Sequence, residues 1–229
     1  MCPWVVVGRI RLRRASSSIT CFGSPLDAAA MDCRVSAPAR ARIASRAVGY
    51  PSSTTGPPLP NVTPEVVARF GAPPEDAFTI MSALVQPTSR GAVRLASNNF
   101  RDAAVIDGNY LGTDYDFGAI VRAIEAAREL GNQHAFDSLR EAELVPGPMA
   151  TADDIHELAR LGTASFGHPV GTCKMGVDKL AVVDPQLRVH GLTGLRVADA
   201  SVMPQIITGP GTNASTHMIA GRAAQLILA

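Results

Sequence analysis

No apolar run in this 229-residue chain approaches the roughly 20 residues needed to span a bilayer. The stretch Trp4–Val7 is too short for the core of a signal peptide, and arginines follow it instead of preceding it. Cysteine is scarce. Cys2, Cys21, Cys33 and Cys173 form no CxxC pair and no zinc-ligand spacing, which argues against a disulfide framework and a metal knuckle and favours a reduced, cytoplasmic protein. Net charge is scarce as well: a formal +1 gives no reason to expect nucleic acid or a charged membrane as partner.

That balance hides an asymmetry. Residues 1–50 hold eight arginines against only Asp27 and Asp32, so the rest of the chain is acidic on balance. Two differently composed pieces have been joined. Residues 1–60 show neither a sustained helical period nor strand alternation, and they end in the Pro/Ser/Thr-rich stretch 51–60, which reads as a linker. The Arg- and Ser-rich, acid-poor start shares its composition with organelle transit peptides, although a plain basic leader is the simpler reading.

With 46% hydrophobic residues, the chain can bury one core and a second small one. Patterning sharpens beyond residue 60. Phe78–Val85 is a β-rich run and Gly91–Ala96 alternates as a half-buried strand, so the short Thr88–Gly91 link predicts an antiparallel pair. Apolar residues near helical spacing predict a helix over Asp114–Leu130, with Asp114 as its N-cap and Gly131 as its C-cap. A second helix is expected from the capping pattern at Thr151 toward Leu161, a short strand at Leu195–Ala198, and a last helix over Thr212–Leu228.

Three places have chemistry to offer. His168 is followed by proline and flanked by Gly167 and Gly171 in a loop of restricted shape, and imidazole is the side chain that most readily exchanges a proton near neutral pH. A loop histidine bonded to backbone is the commoner use of such a residue. A metal site through His168 and Cys173 lacks further ligands, and a hydrolase built on Ser165 or Ser201 with His168 and Asp184 lacks a Gly-x-Ser-x-Gly elbow. Next, Asn213, Ser215 and Thr216 open the last helix, where unpaired N–H groups suit an anion or a polarised oxygen; an ordinary N-cap is the plainer reading. Third, Asp199 and Ala200 follow a strand end, where small residues permit close backbone approach.

Taken in order, His168–Gly176, Val182–Gly191, Gly194–Pro204 and Asn213–Thr216, with Gln86–Leu95 and Ile106–Leu111 upstream, closely resemble the C-terminal blocks of the glucose–methanol–choline (GMC) oxidoreductases, the choline-dehydrogenase-like branch above all. The resemblance covers roughly residues 60–229. It implies oxidation of a small-molecule alcohol by hydride transfer to FAD, with His168 as the base and Asn213 holding the substrate oxygen. It also implies that Asp199, Ala200, Asn213, Ser215 and Thr216 approach the flavin.

Two features depart from the family pattern. No GxGxxG occurs anywhere, so the strand–turn–helix that grips the ADP part of FAD is missing from this sequence. The last helix opens with Gly209-Pro210-Gly211-Thr212-Asn213 where relatives often carry Gly-Asn-Thr-Asn. The fold expected is therefore α+β: a leader and linker over 1–60, an antiparallel sheet with helices as substrate-binding domain over 61–194, and over 195–229 the returning strand and helix of an otherwise missing FAD-binding domain. The chain reads as a fragment, with room for a separate N-terminal FAD-binding half. A non-catalytic remnant or interaction module, and a hydroxynitrile-lyase-like protein of the same fold, are the alternatives.

Overall fold

The computed structural model describes residues 3–12, 43–49, 64–71, 77–165, 167–207 and 212–228. Its elements in chain order are β1 (Pro3–Leu12), β2 (Ile43–Gly49), α1 (Pro64–Phe70), β3 (Ala77–Leu84), β4 (Ala92–Arg94), β5 (Val105–Asp107), α2 (Asp114–Gly131), β6 (Arg140–Val145), α3 (Ala152–Leu161), β7 (Thr163–Ser165) and α4 (Asn213–Leu228). Single turns of 3-10 helix stand at His134–Phe136 and Ala200–Val202. The mixed composition, built around an antiparallel sheet, agrees with the α+β expectation.

Five strands form the main sheet in the order β2-β3-β1-β6, with β7 pairing the start of β1, and every pairing is antiparallel. Helix α2 lies across β1 and β3, and α3 packs on α2. The α2 sequence repeats small and branched apolar residues at helical spacing, so Ala119, Ile120, Ala123, Ile124 and Ala127 all fall on its buried side. Ala119, Ile120, Ile124 and Ala127 meet Ile80 and Leu84 of β3, Val145 of β6 and Ile155, Leu158 and Ala159 of α3 in one cluster. Removing each Ile or Leu side chain from water there contributes roughly 1.5–3 kcal/mol.

The second cluster is smaller and joins Val183, Leu187, Val202 and Met203 to Ile219 and Ala223 of α4. Little of its frame is regular. Asp184 accepts from the N–H groups of Gln186 and Arg188, each at 2.9 Å, and from Arg188 Nε at 2.8 Å. That turn holds Leu187 at φ 63°, a left-handed conformation unusual for a branched side chain, and buries it at 3% exposure.

Several expectations are corrected. Residues 3–12 and 43–49 are strands of the main sheet, with β1 at its centre, although residues 1–60 carry no sustained alternation; the rest of that leader and its linker lie outside the described residues. Strand β3 pairs with β1 and β2, not with the alternating stretch after it, and β4 pairs with β5 in a separate two-stranded sheet. The reason is in the link between them: the N–H groups of Thr88 and Ser89 bond to Asp116 and carry the chain off the sheet instead of folding it back. Leu195–Ala198 is not a strand. It is held by the Val189 N–H on the Leu195 carbonyl (3.0 Å), the Val197 N–H on the Leu187 carbonyl (3.1 Å) and an isolated bridge between Arg188 and Arg196. Helix caps shift by one residue: Thr113 caps α2, its hydroxyl accepting from the Asp116 N–H, and Asn132 closes it. At α3 the capping box of Thr151 and Asp154 forms in full.

Candidate active site

The loop that carries His168 is strapped to the chain that carries Asp199 and Ala200. The N–H groups of Gly171 and Cys173 both donate to the Ser201 carbonyl, at 3.1 and 3.0 Å, and the Met175 N–H donates to the Val202 carbonyl at 2.8 Å. Gly171 makes the strap possible: its φ is 88°, and a Cβ there would lie 3.5 Å from the Met203 carbonyl oxygen. The Asp199 carboxylate accepts from the Ser201 N–H at 2.7 Å and fixes the turn from the other side. Val202 and Met203 then pack on Ile219 and Ala223, which anchors α4 to the same unit. Three motifs separated in sequence are thus brought together by backbone bonds and one small apolar cluster.

Within that unit His168 is half-buried, Asp199 and Asn213 are exposed, and Ala200, Ser215 and Thr216 are half-buried. Asn213 stands in the first turn of α4. The Thr216 hydroxyl is committed to the Thr212 carbonyl at 2.8 Å, and Asn213 and Ser215 carry polar groups in the same first turn. The glycines and proline at 209–211 lie outside the described residues.

Beside the strap runs a cleft of about 710 Å³, ample for a small molecule. One wall is the chain from Gln86 to Val93 with Asp107, Gly108 and Tyr115; the other is Pro169–Thr172, Lys174 and Pro204–Ile206. His168 precedes the second wall directly but is not among the lining residues, and neither are Asp199, Ala200, Asn213, Ser215 and Thr216. Gly91 lets the first wall close on the β4–β5 ribbon, since a Cβ there would stand 2.1 Å from the Asp107 carbonyl oxygen. Two cations reach the cleft. The Arg90 guanidinium turns back to the carbonyls of Pro87 (2.9 Å) and Ser89 (3.0 Å), and Lys174 pairs with Asp178 at 2.8 Å.

Sequence reasoning passed over Asp116, the one fully buried ionisable side chain among the described residues, at 0% exposure. Its carboxylate accepts from the Thr88 N–H (2.8 Å), the Thr88 hydroxyl (2.9 Å) and the Ser89 N–H (2.8 Å). Burial pushes its pKa up, but the hydrogen bonds from Ser89 and Thr88 together outweigh that and hold it below the usual carboxylate range. Its signal was available: a second acid two residues into a helix whose first turn already has one is well placed for neighbouring backbone donors. Asp184, once a nominee for a triad, is spent on its own turn. Among the described residues no three His, Cys, Asp or Glu side chains gather as metal ligands, and no helix is long and apolar enough to cross a membrane.

The histidine loop, the Asp199 turn and the start of α4 thus belong to one unit, with the cleft beside it. A family profile described as GMC oxidoreductase matches residues 87–220, more than half of the chain, and the chain belongs to that family, whose members are enzymes that work with FAD. It is 44% identical over 154 residues to the oxygen-dependent choline dehydrogenase of Klebsiella pneumoniae, a stretch that is 67% of this chain and 28% of that one. Pyridoxine 4-oxidase from Mesorbium loti superposes with a TM-score of 0.63 at 37% identity, covering 69% of this chain and 31% of the other. The formate oxidase of Aspergillus oryzae, solved in a study of its FAD modification, gives 0.60 at 31% identity, with 70% and 28% covered. The chain therefore spans under a third of the length of these relatives.

Proposed function

We propose that this chain supplies the substrate-facing wall and the proton-handling residues of an FAD-dependent alcohol oxidoreductase acting on CH–OH donors. The single observation behind this reading is the strap: the bonds of Gly171, Cys173 and Met175 to Ser201 and Val202 hold the His168 loop against the turn that bears Asp199 and Ala200. Choline and pyridoxine, the compounds named for two of the relatives, both carry hydroxyl groups.

The residues present suit the redox end of FAD and not its ADP end. Small and glycine residues on the strap admit a flat ring, and Asn213 and Ser215 offer polar groups at a helix start. No GxGxxG is there for the pyrophosphate. FAD, when bound, supplies the hydride acceptor. His168 takes the hydroxyl proton of the alcohol, and Asn213 holds the same oxygen by hydrogen bonding, which keeps the C–H bond aimed while the O–H bond breaks. Asp199 and Ala200 would face the cofactor from their turn, with Ser215 and Thr216 doing so from the start of α4.

The ADP half is then gripped by polypeptide outside this sequence, and the domain boundary falls where the FAD-binding part of the enzyme resumes, near residue 195. Large apolar side chains left open on the β4–β5 ribbon and α4, among them Leu95 at 85%, Phe100 at 86% and Leu228 at 87% exposure, favour a further body covering these faces.

The test is complementation. The chain alone is expected to purify colourless and to bind FAD weakly or not at all; supplied with the N-terminal part of a choline dehydrogenase, it yields a yellow complex that bleaches when alcohol is added without oxygen. His168→Gln slows that bleaching by on the order of 10²–10⁴-fold. Flavin that stays oxidised in the unaltered complex sinks the alcohol oxidation and turns the reading toward lyase chemistry.

A further inference from the structure

The first wall of the cleft is only partly built from strands. Residues 86–91 leave β3, pass the cleft and enter β4 without regular structure, and their backbone polarity must be answered by something. Asp116 answers it with the three bonds described above. Thr113, the α2 cap, adds a hydroxyl contact of 2.7 Å to the Thr88 hydroxyl, and Asn109 Nδ2 donates to the Arg90 carbonyl at 3.0 Å. Asp116 also sits in the first turn of an 18-residue helix, where the dipole favours a carboxylate. Its neighbour Tyr115 faces the cleft from the same turn.

We infer that Asp116 is a positioning residue for this site: it ties the cleft wall at Thr88 and Ser89 to the start of α2, and so sets the width of the cleft opposite the His168 loop. The inference rests on the reading that the cleft faces the reacting groups, but the tie itself is judged without flavin or alcohol. An isosteric amide cannot replace it. Asparagine presents an acceptor on one side only, so either the Ser89 N–H or the Thr88 N–H and hydroxyl together then face an NH₂ group and lose their partner.

The charged groups at this junction are few. Arg90 lies on the wall and turns to the Pro87 and Ser89 carbonyls; Asp114 is exposed at the start of α2; of α3, Arg160 lies over the Phe117 ring and His156 meets that ring edge-on, one residue along. Ionised Asp116 therefore loses its hold when it is protonated. Because its folded pKa is lowered, the tie is complete above the ordinary carboxyl range near 4 and is lost only as pH falls below that range, through the folded value.

Amide hydrogen exchange on the full chain reads this directly. In Asp116→Asn, whichever of the Thr88 and Ser89 amides is left facing the NH₂ group is expected to exchange on the order of tenfold faster or more, while the Ile120 and Ile124 amides change by about twofold at most. Thr88→Val keeps both N–H donors and removes the hydroxyl, so its effect on the Ser89 amide is smaller, about threefold. The unaltered chain, corrected for intrinsic rates, should lose protection at the same two amides only on acidification below about pH 4, ahead of α2. Protection that is absent at Thr88 and Ser89 from the outset, insensitive to acid, or lost in step with Ile120 and Ile124 overturns the inference, and the acid arm stands even if Asp116→Asn fails to fold. Failure of the alcohol chemistry would leave these exchange results untouched.

Discussion

The unit formed by the main sheet with α2 and α3 and the unit running from residue 167 to 228 are held together by different physics. In the first, ten buried side chains interlock across a sheet and two helices. In the second, six buried residues suffice because backbone donors and acceptors are matched directly between loops: Gly171 and Cys173 to Ser201, Met175 to Val202, Gly176 to Val183, Asp184 to Arg188. The first unit depends on volume and the second on dihedral angles. A frame of the second kind suits a site, since it fixes backbone against backbone without drawing on the side chains it carries.

Substitutions separate the two. The largest effect is expected in the first unit. Ile120 is fully buried between the sheet and α3, and Ile120→Ala should cost about 2–5 kcal/mol, the methyls removed plus the cavity left behind. Chemical denaturation followed by helical circular dichroism measures it. A loss below about 1 kcal/mol would mean that the cluster is looser than its burial indicates.

In the second unit a change of one methyl on the backbone should matter more than its volume suggests. Gly171→Ala places a Cβ at φ 88° and against the Met203 carbonyl, at an expected cost of about 1–2 kcal/mol. The loss should be local. Exchange protection falls at Cys173 and Met175, whose N–H groups form the strap, and stays unchanged at Ile120 and Ile124. Equal loss in both regions would erase the distinction between the units.

The same distinction explains what could be read from the chain beforehand. Helices α2, α3 and α4 were legible because their spacing and caps are local: Thr151 and Asp154 announce α3 within four residues. The His168 loop and the Asp199 turn were legible as family blocks, but nothing in their spacing says that Ser201 accepts two bonds from the loop. Strand pairing was the least legible. Phe78–Val85 has the look of a hairpin partner for the stretch after it, yet its partners β1 and β2 come from far earlier in the chain, and the turn residues between are taken by Asp116. For β1 there was a signal after all: Val5, Val6 and Val7 are β-branched, and Arg9-Ile10-Arg11-Leu12 alternates. Short apolar reach and a crowd of arginines disguised it as a leader.

The smallest expected effect tests how far local signals carry energy as well as information. Thr151 closes the N-terminus of α3 by accepting from the Asp154 N–H at 3.3 Å, while its own N–H and hydroxyl donate to the Asp154 carboxylate at 2.9 and 2.7 Å. Those bonds hold the Asp154 carboxyl below its usual pKa, Thr151 being the foremost cause and Arg69 of α1 a lesser one. Thr151→Ala removes the hydroxyl and leaves a donor at the helix start facing water, for a loss of about 1 kcal/mol. Thr151→Ser keeps the cap and should recover most of that loss, which separates capping from packing of the threonine methyl. Because Ile155, Leu158 and Ala159 stay buried, α3 should remain folded in both variants, fraying only in its first turn. If Thr151→Ala instead lowers stability as much as Ile120→Ala, the cap is part of the volume-filled core, and the division between locally specified ends and a collectively specified interior fails at α3.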